Sequence, residues 1–203
     1  MTREEIKQSF DLSRDKFDAI KQDNEKEIVS IKYSKCEYFE IFPCSYQRSG
    51  FKQGKLVDNI NKIKSTEDLY SYGFDSKERI IQIKEGISIE NQFYYQFLKY
   101  EKNFVKSHQF NNSKDLQNVS IYFYDKVSNK IEKMFSQGRR GGRDEFYIYS
   151  ENGLLEEIRI KQYDRKGNEA DPYKEIFDYS EIGELKQITK SFENGYSEVI
   201  YEL

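Results

Sequence analysis

The sequence holds little of what most enzyme or metal chemistry requires. Its two cysteines, Cys36 and Cys44, are too few for a disulfide framework or a zinc cage. Pro43 interrupts the segment that carries them. Both are expected as small buried hydrophobes, with joint oxidation as the alternative. His108 is the only histidine, so any Ser-His-Asp, Cys-His or multi-histidine mechanism has to run through one position. It sits in Lys106-Ser107-His108-Gln109 with no nucleophile motif around it, and reads as an ordinary strand or surface histidine. Phosphate-loop and dinucleotide fingerprints are missing. Carboxylate pairs abound, but 36 Asp and Glu produce such pairs by chance. These gaps predict a non-enzymatic protein without cofactor or metal.

Long apolar runs are missing as well. No stretch approaches the roughly 18 residues a membrane span needs. The opening Met1-Thr2-Arg3-Glu4-Glu5 lacks the basic and apolar regions of a signal peptide, which predicts a cytoplasmic protein with no membrane partner. Hydrophobic residues make up 36% of the chain and charged residues 34%, a balance that borders on disorder. The 17 Tyr and 15 Phe argue for a folded chain, because disordered sequences are poor in aromatics.

What is present reads as one α+β domain over 1–203: a helical start at 1–25, strands plus a short helix at 26–68, and a β-hairpin meander at 69–203. Thr2 and Glu5 have capping-box spacing, and Ile6, Phe10, Phe17 and Ile20 fall on one side of a helix that Asp11 and Ser13 can interrupt. Residues 28–33 and 38–42 are rich in β-branched and aromatic side chains and predict strands. Leu56, Ile60 and Ile63 have helical spacing and predict a second short helix ending before Ser65.

An internal repeat organises the remainder. Tyr149-x-x-x-Gly153-x-Leu155-x-x-Ile158 aligns with Tyr179-x-x-x-Gly183-x-Leu185-x-x-Ile188. Phe74, Glu78, Ile80 and Ile83 keep the same offsets, with Glu in place of Gly. Tyr124, Asn129, Ile131 and Met134 fit if the turn gains one residue. Each unit reads as a hairpin: a Tyr-rich strand enters, a turn with one residue at positive φ reverses it, and an aliphatic strand returns. Isolated hairpins are marginal, so several must align. The expected fold is an antiparallel meander sheet of repeated hairpins. The N-terminal helix or helices pack on one face, and the other face is open and lined by Tyr.

The repeat unit resembles the YD repeats of RHS and polymorphic-toxin systems. Phe123-Tyr124-Asp125 and Gln162-Tyr163-Asp164-Arg165-Lys166-Gly167-Asn168 come closest to its Tyr-Asp part. A helical start followed by such a sheet is also similar in outline to the immunity proteins encoded beside bacterial toxins, among them streptococcal immunity proteins against LXG toxins, which present a concave sheet. The resemblance implies an immunity protein that binds and neutralises a cognate toxin by masking its active surface. The alternative it implies is a structural or surface β module of the YD-repeat kind without a toxin partner.

Two features nominate partner-binding residues. Gly138-Arg139-Arg140-Gly141-Gly142-Arg143-Asp144 predicts a mobile cationic hairpin loop, with Arg139, Arg140 and Arg143 available to an acidic partner. It is similar to RGG segments that bind single-stranded RNA, but the net charge of −3 argues against nucleic acid. Residues 144–203 carry 15 acidic and 7 basic side chains, leaving 21 acidic and 26 basic upstream. An acidic sheet surface with Glu156, Glu157 and Asp178 would steer a basic toxin. Tyr147, Tyr149 and Tyr163 lie in the same region and suit binding hot spots.

Overall fold

The computed structural model describes residues 2–203. Two helices come first, α1 (Arg3–Ser13) and α2 (Phe17–Glu25). Strands β1 (Ser30–Lys35), β2 (Lys55–Leu56), β3 (Leu69–Phe74), β4 (Ile80–Gly86), β5 (Phe93–Tyr100) and β6 (Phe104–Phe110) follow. Then come β7 (Leu116–Tyr124), β8 (Ile131–Gly138), β9 (Gly141–Tyr149), β10 (Leu155–Asp164), β11 (Tyr173–Tyr179), β12 (Leu185–Phe192) and β13 (Ser197–Glu202). They form one 13-stranded sheet in the order β13-β12-β11-β10-β9-β8-β7-β6-β5-β4-β3-β1-β2. From β3 onward spatial order equals chain order, so this is an open antiparallel meander, as the repeat predicts.

One turn design closes most hairpins. In turns 75–79, 150–154 and 180–184 the first residue's N–H donates to the fifth carbonyl, and the fourth N–H donates to the first carbonyl. The fourth residue is left-handed: Glu78 at φ 58°, Gly153 at 84° and Gly183 at 82°. This is the three-residue hairpin loop whose last position favours glycine. Turns 111–115, 164–168 and 192–196 share it, with Lys114, Gly167 and Gly195 at positive φ. Turn 125–130 is one residue longer and places Asn129 at 55°. The first residue's side chain reinforces the loop. Asp75 accepts from the Lys77 and Arg79 amides, Ser150 from Leu154 and Ser180 from Glu184.

The tyrosine before the turn has a separate task. Tyr149 ends β9, and its hydroxyl donates to the Ile131 carbonyl at the start of β8, 3.0 Å away. Tyr179 at the end of β11 donates to Leu155 at the start of β10 at 2.9 Å. Tyr100 at the end of β5 donates to Ile80 at the start of β4 at 3.0 Å. Each hydroxyl therefore clasps the base of one turn to the base of the preceding turn at the same end of the sheet.

The chain divides into two compact units. The first comprises residues up to Phe39, Gln53–Ile121 and Gln137–Arg139. Thr2 caps α1 with the expected capping box. The interruption falls between Ser13 and Phe17, giving two helices rather than one. Phe17 seats on the sheet, with ring centroids 5.1 Å from Tyr95, 5.8 Å from Phe97 and 5.1 Å from Phe110. On the opposite side Phe39 packs edge-on against Tyr72 and Phe74.

The second unit comprises Glu40–Lys52, Tyr122–Ser136 and Arg140–Leu203. Its core gathers Tyr122, Ile131, Met134, Tyr147, Leu155, Ile158, Ile160, Phe177 and Ile188, and the 40–52 segment adds Phe42 and Cys44. Phe42 stacks on Tyr122 with centroids 3.5 Å apart.

Two expectations for 26–68 are corrected. Residues 38–42 are not a strand but an irregular segment whose aromatics pack on the sheet. Pro43 and the left-handed backbone of Cys36 and Cys44 break extension on either side. Leu56, Ile60 and Ile63 do not share a helix. Lys55–Leu56 pairs with β1, and Ile60–Lys62 makes a single 3-10 turn capped by Asn59. A segment this short cannot repay helix nucleation.

Because the clasp is a single hydrogen bond at a buried carbonyl, Tyr149→Phe and Tyr179→Phe are each expected to lose about 1 kcal/mol of stability. Urea unfolding checks this, and unchanged midpoints for both would remove the clasp as a source of stability.

Candidate partner-binding surfaces

In the second unit the two sheet faces differ. Cross-strand pairs Glu145 with Ile160 and Glu175 with Ile158 put both carboxylates on one face, on strands that flank β10. The 40–52 segment lies on that face and sends Arg48 between them. Its Nη2 is 2.8 Å from Glu145 Oε1, and its Nε is 2.5 Å from Glu175 Oε2. Arg143 approaches the same carboxylates, at 2.7 Å from Glu145 and 3.4 Å from Glu175. The 2.7 Å contact is an ion pair by distance only, since the Nε–H points off the hydrogen-bond line. Tyr147 completes the group by donating to Glu145 Oε2 at 2.5 Å.

The side chains of Glu145, Glu175 and Arg48 are 4%, 6% and 13% exposed, so these charges depend on each other rather than on water. Burial opposes ionisation of Glu145, but Arg48 and Arg143 overcome it and hold its carboxyl below the ordinary range. Burial likewise works against the Arg48 cation, and the two glutamates outweigh it. Burial and the adjacent Glu145 together push the Tyr147 hydroxyl well above its usual value. The arrangement fastens the 40–52 segment to the sheet.

The other face carries a row of phenylalanines. Phe123 on β7, Phe135 on β8 and Phe146 on β9 meet edge-on, with centroids 5.8 and 6.3 Å apart. Phe146 is 39% exposed. Lys133 lies 5.4 Å over Phe123. Beyond Phe146 the register continues to Arg159 and Lys174, like charges directly opposite each other. Glu157 resolves that conflict at 2.7 Å from Arg159 and 3.1 Å from Lys174. Its carboxyl is lowered chiefly by the Arg159 hydrogen bond.

The nominated residues separate accordingly. Arg143 and Tyr147 belong to the buried ion group, and Tyr149 is a clasp. Tyr163 hydrogen-bonds the buried Asp144, and burial is the main cause of its raised hydroxyl. Arg139 and Arg140 are exposed, but they occupy a tight two-residue turn rather than a long loop. Arg139 pairs with Asp115 at 3.5 Å. Gly141 fixes that turn, because a Cβ there would sit 1.9 Å from the Tyr163 carbonyl. Glu156 and Asp178 are exposed, and Glu157 sits on the phenylalanine face. Of the nominated tyrosines, Tyr147 and Tyr149 lie on the covered face with Tyr179 and Cys44 rather than on an open one. The Phe123–Phe135–Phe146 row is the feature that repeat reasoning missed. Its signal was present, since Phe146 directly precedes the inward Tyr147 and must point the other way.

His108 is buried in β6, with Nε2 3.2 Å from Ser13 Oγ. Burial, then Lys106, Lys16 and Lys99, lower it to about 4. Neither cysteine is the buried hydrophobe expected. Cys36 is exposed, and Cys44 is half-buried with its thiol pushed up to about 12 by burial and Glu40. No described helix is long and apolar enough to cross a membrane.

No protein-family model matches the chain, and no curated protein does.

Arg48→Met is expected to cost about 3–5 kcal/mol, because it leaves buried carboxylates short of a partner. A loss below about 1 kcal/mol in chemical denaturation would show that Arg143 alone suffices. His108 gives a second test. Its folded value lies below the unfolded 6.5, so its contribution is full above pH 6.5 and lost as pH falls toward 4. Stability is expected to drop by a few kcal/mol across that window and less in His108→Gln, read by urea titration at each pH.

Proposed function

We propose that this chain is a binding protein that neutralises a cognate bacterial toxin by masking its active surface with the phenylalanine face and the adjoining hairpin turns. The observation that carries the reading is the Phe123–Phe135–Phe146 row. An antiparallel sheet with one face in water ordinarily turns polar side chains outward. Three aromatic rings in edge-on contact on that face, Phe146 exposed and Phe123 and Phe135 half-buried, make an apolar patch of the kind that marks interaction sites. Aromatics are also the residues that dominate binding energy when covered. The net acidity of residues 144–203 supplies steering toward a basic partner.

A second reading, a structural β module, draws support from the clasped hairpin repeat. Such a module requires no covering of the phenylalanine row, and this separates the two.

Phe146→Ser is expected to leave unfolding cooperative and to weaken partner binding roughly tenfold or more. The measurement is affinity capture from the native organism with bound proteins identified by mass spectrometry, then titration of the captured domain. One stoichiometric basic domain held by the parent protein and weakened by Phe146→Ser supports the reading. Equal binding by both removes the phenylalanine face from it, and no captured partner favours the structural module.

A further inference from the structure

In an up-and-down meander, alternate turns emerge at the same end. Turns 125–130, 150–154 and 180–184 therefore stand side by side, separated by about 9–10 Å, or two strand spacings. They are tied together. Lys130 Nζ donates to the Gly153 carbonyl at 2.8 Å, and the Tyr149 and Tyr179 hydroxyls hold the turn bases.

The tips of this rigid row carry side chains that turn geometry does not need. Val127 is 95% exposed, Ile182 80% and Leu154 36%. Position three of the same turn is Lys77, Ser113, Asn152, Lys166 or Asn194 in the other copies, so Ile182 departs from a polar pattern. Neither Val127 nor Ile182 contributes to the core, and both project past the sheet end.

Charge around them has one dominant sign. Among the described residues Glu151, Glu156, Glu181 and Glu184 make no ion pair, whereas Asp125 is bound into its own turn and Lys130 is engaged with Gly153. Lys126 is the countercharge nearest to Val127 in the chain. Part of the acidity of the C-terminal half thus stands unpaired at these hairpin tips, whereas Glu157 on the sheet face is neutralised by Arg159 and Lys174.

We propose that these three aligned tips form a docking ridge for a basic protein surface that carries apolar side chains between its cations. Val127, Leu154 and Ile182 supply the apolar contacts, and the four glutamates select the charge of the partner. This rests on the binding reading above, and locates part of the contact on the turns beside the phenylalanine face.

The test uses random dodecapeptides displayed on phage and panned on the full chain. Binding of the enriched peptides is then measured on a ridge variant and a face variant. The ridge variant combines Val127→Ser, Ile182→Asn, Glu181→Lys and Glu184→Lys; asparagine is already used at that turn position, so the hairpin is preserved. The face variant is Phe146→Ser. The expected result is enrichment of peptides rich in Lys, Arg and large apolar residues that lose roughly tenfold or more on the ridge variant. Enrichment of peptides that bind the ridge variant as well as the parent overturns the ridge and leaves the binding reading standing. No enrichment on a parent protein that unfolds cooperatively also overturns it. Failure of the binding reading itself is registered separately, by affinity capture that returns no partner.

Discussion

Most of this sheet depends on a turn that needs one residue with left-handed backbone. A five-residue reversal with that residue in fourth place returns the chain at the register its partner strand requires. The register decides which side chains face the core. Glycine meets the requirement at Gly153 and Gly183 without steric cost, and asparagine meets it at Asn129. Glu78 meets it at some cost in backbone energy, which Asp75 offsets by accepting two amides and the Arg79 guanidinium. Once the turns are set, the hydroxyls of Tyr100, Tyr149 and Tyr179 tie three of the hairpins to the one before. The repeat is thus a pair of physical requirements, one for the backbone and one for a phenol, written at constant spacing.

The second organising element is the group of Arg48, Arg143, Glu145, Glu175 and Tyr147. A buried ion pair is a poor way to gain stability compared with apolar packing, because desolvation consumes most of the attraction. Its effect here is directional. An apolar segment lying over a tyrosine-rich sheet has many nearly equivalent positions, but a guanidinium between two carboxylates has one. The group therefore fixes where residues 40–52 sit, and with them Phe42 on Tyr122. The contrast with Glu157, half-buried between Arg159 and Lys174, is instructive. There the same residue types serve only to relieve repulsion between two cations that the register places opposite each other.

Much of the fold was legible because its determinants are local. The capping box at Thr2 and Glu5, the left-handed positions at 78, 129, 153 and 183, and the extra residue in turn 125–130 all follow from spacing. Residues 38–42 misled because aromatic and β-branched content signals a half-buried surface and does not distinguish a strand from a segment lying on one. Arg48 was illegible because its partners are 97 and 127 residues away, and nothing in Tyr46-Gln47-Arg48-Ser49 announces them. The acidic surface was legible in amount and not in position. Composition counts carboxylates, but only the turn boundaries reveal that Glu151, Glu181 and Glu184 cluster at tips. In the second unit the hydroxyls of Tyr147, Tyr149 and Tyr179 reach a carboxylate or carbonyl on the covered side, whereas Phe123, Phe135 and Phe146 take the other side.

The placement of the 40–52 segment has a consequence for the order in which the chain acquires structure. The hairpins from β3 to β13 close between neighbours, over short loops that form in microseconds, and can be added one after another as the chain is synthesised. Arg48 emerges early but has no complete site until β9, β10 and β11 have all formed. Its segment remains outside that sequential growth and completes last, a non-local closure at the end of an otherwise local assembly. The early-synthesised cation waits for the late-synthesised carboxylates, so the face that bears Tyr122, Tyr147 and Tyr149 stays exposed until most of the chain has been made.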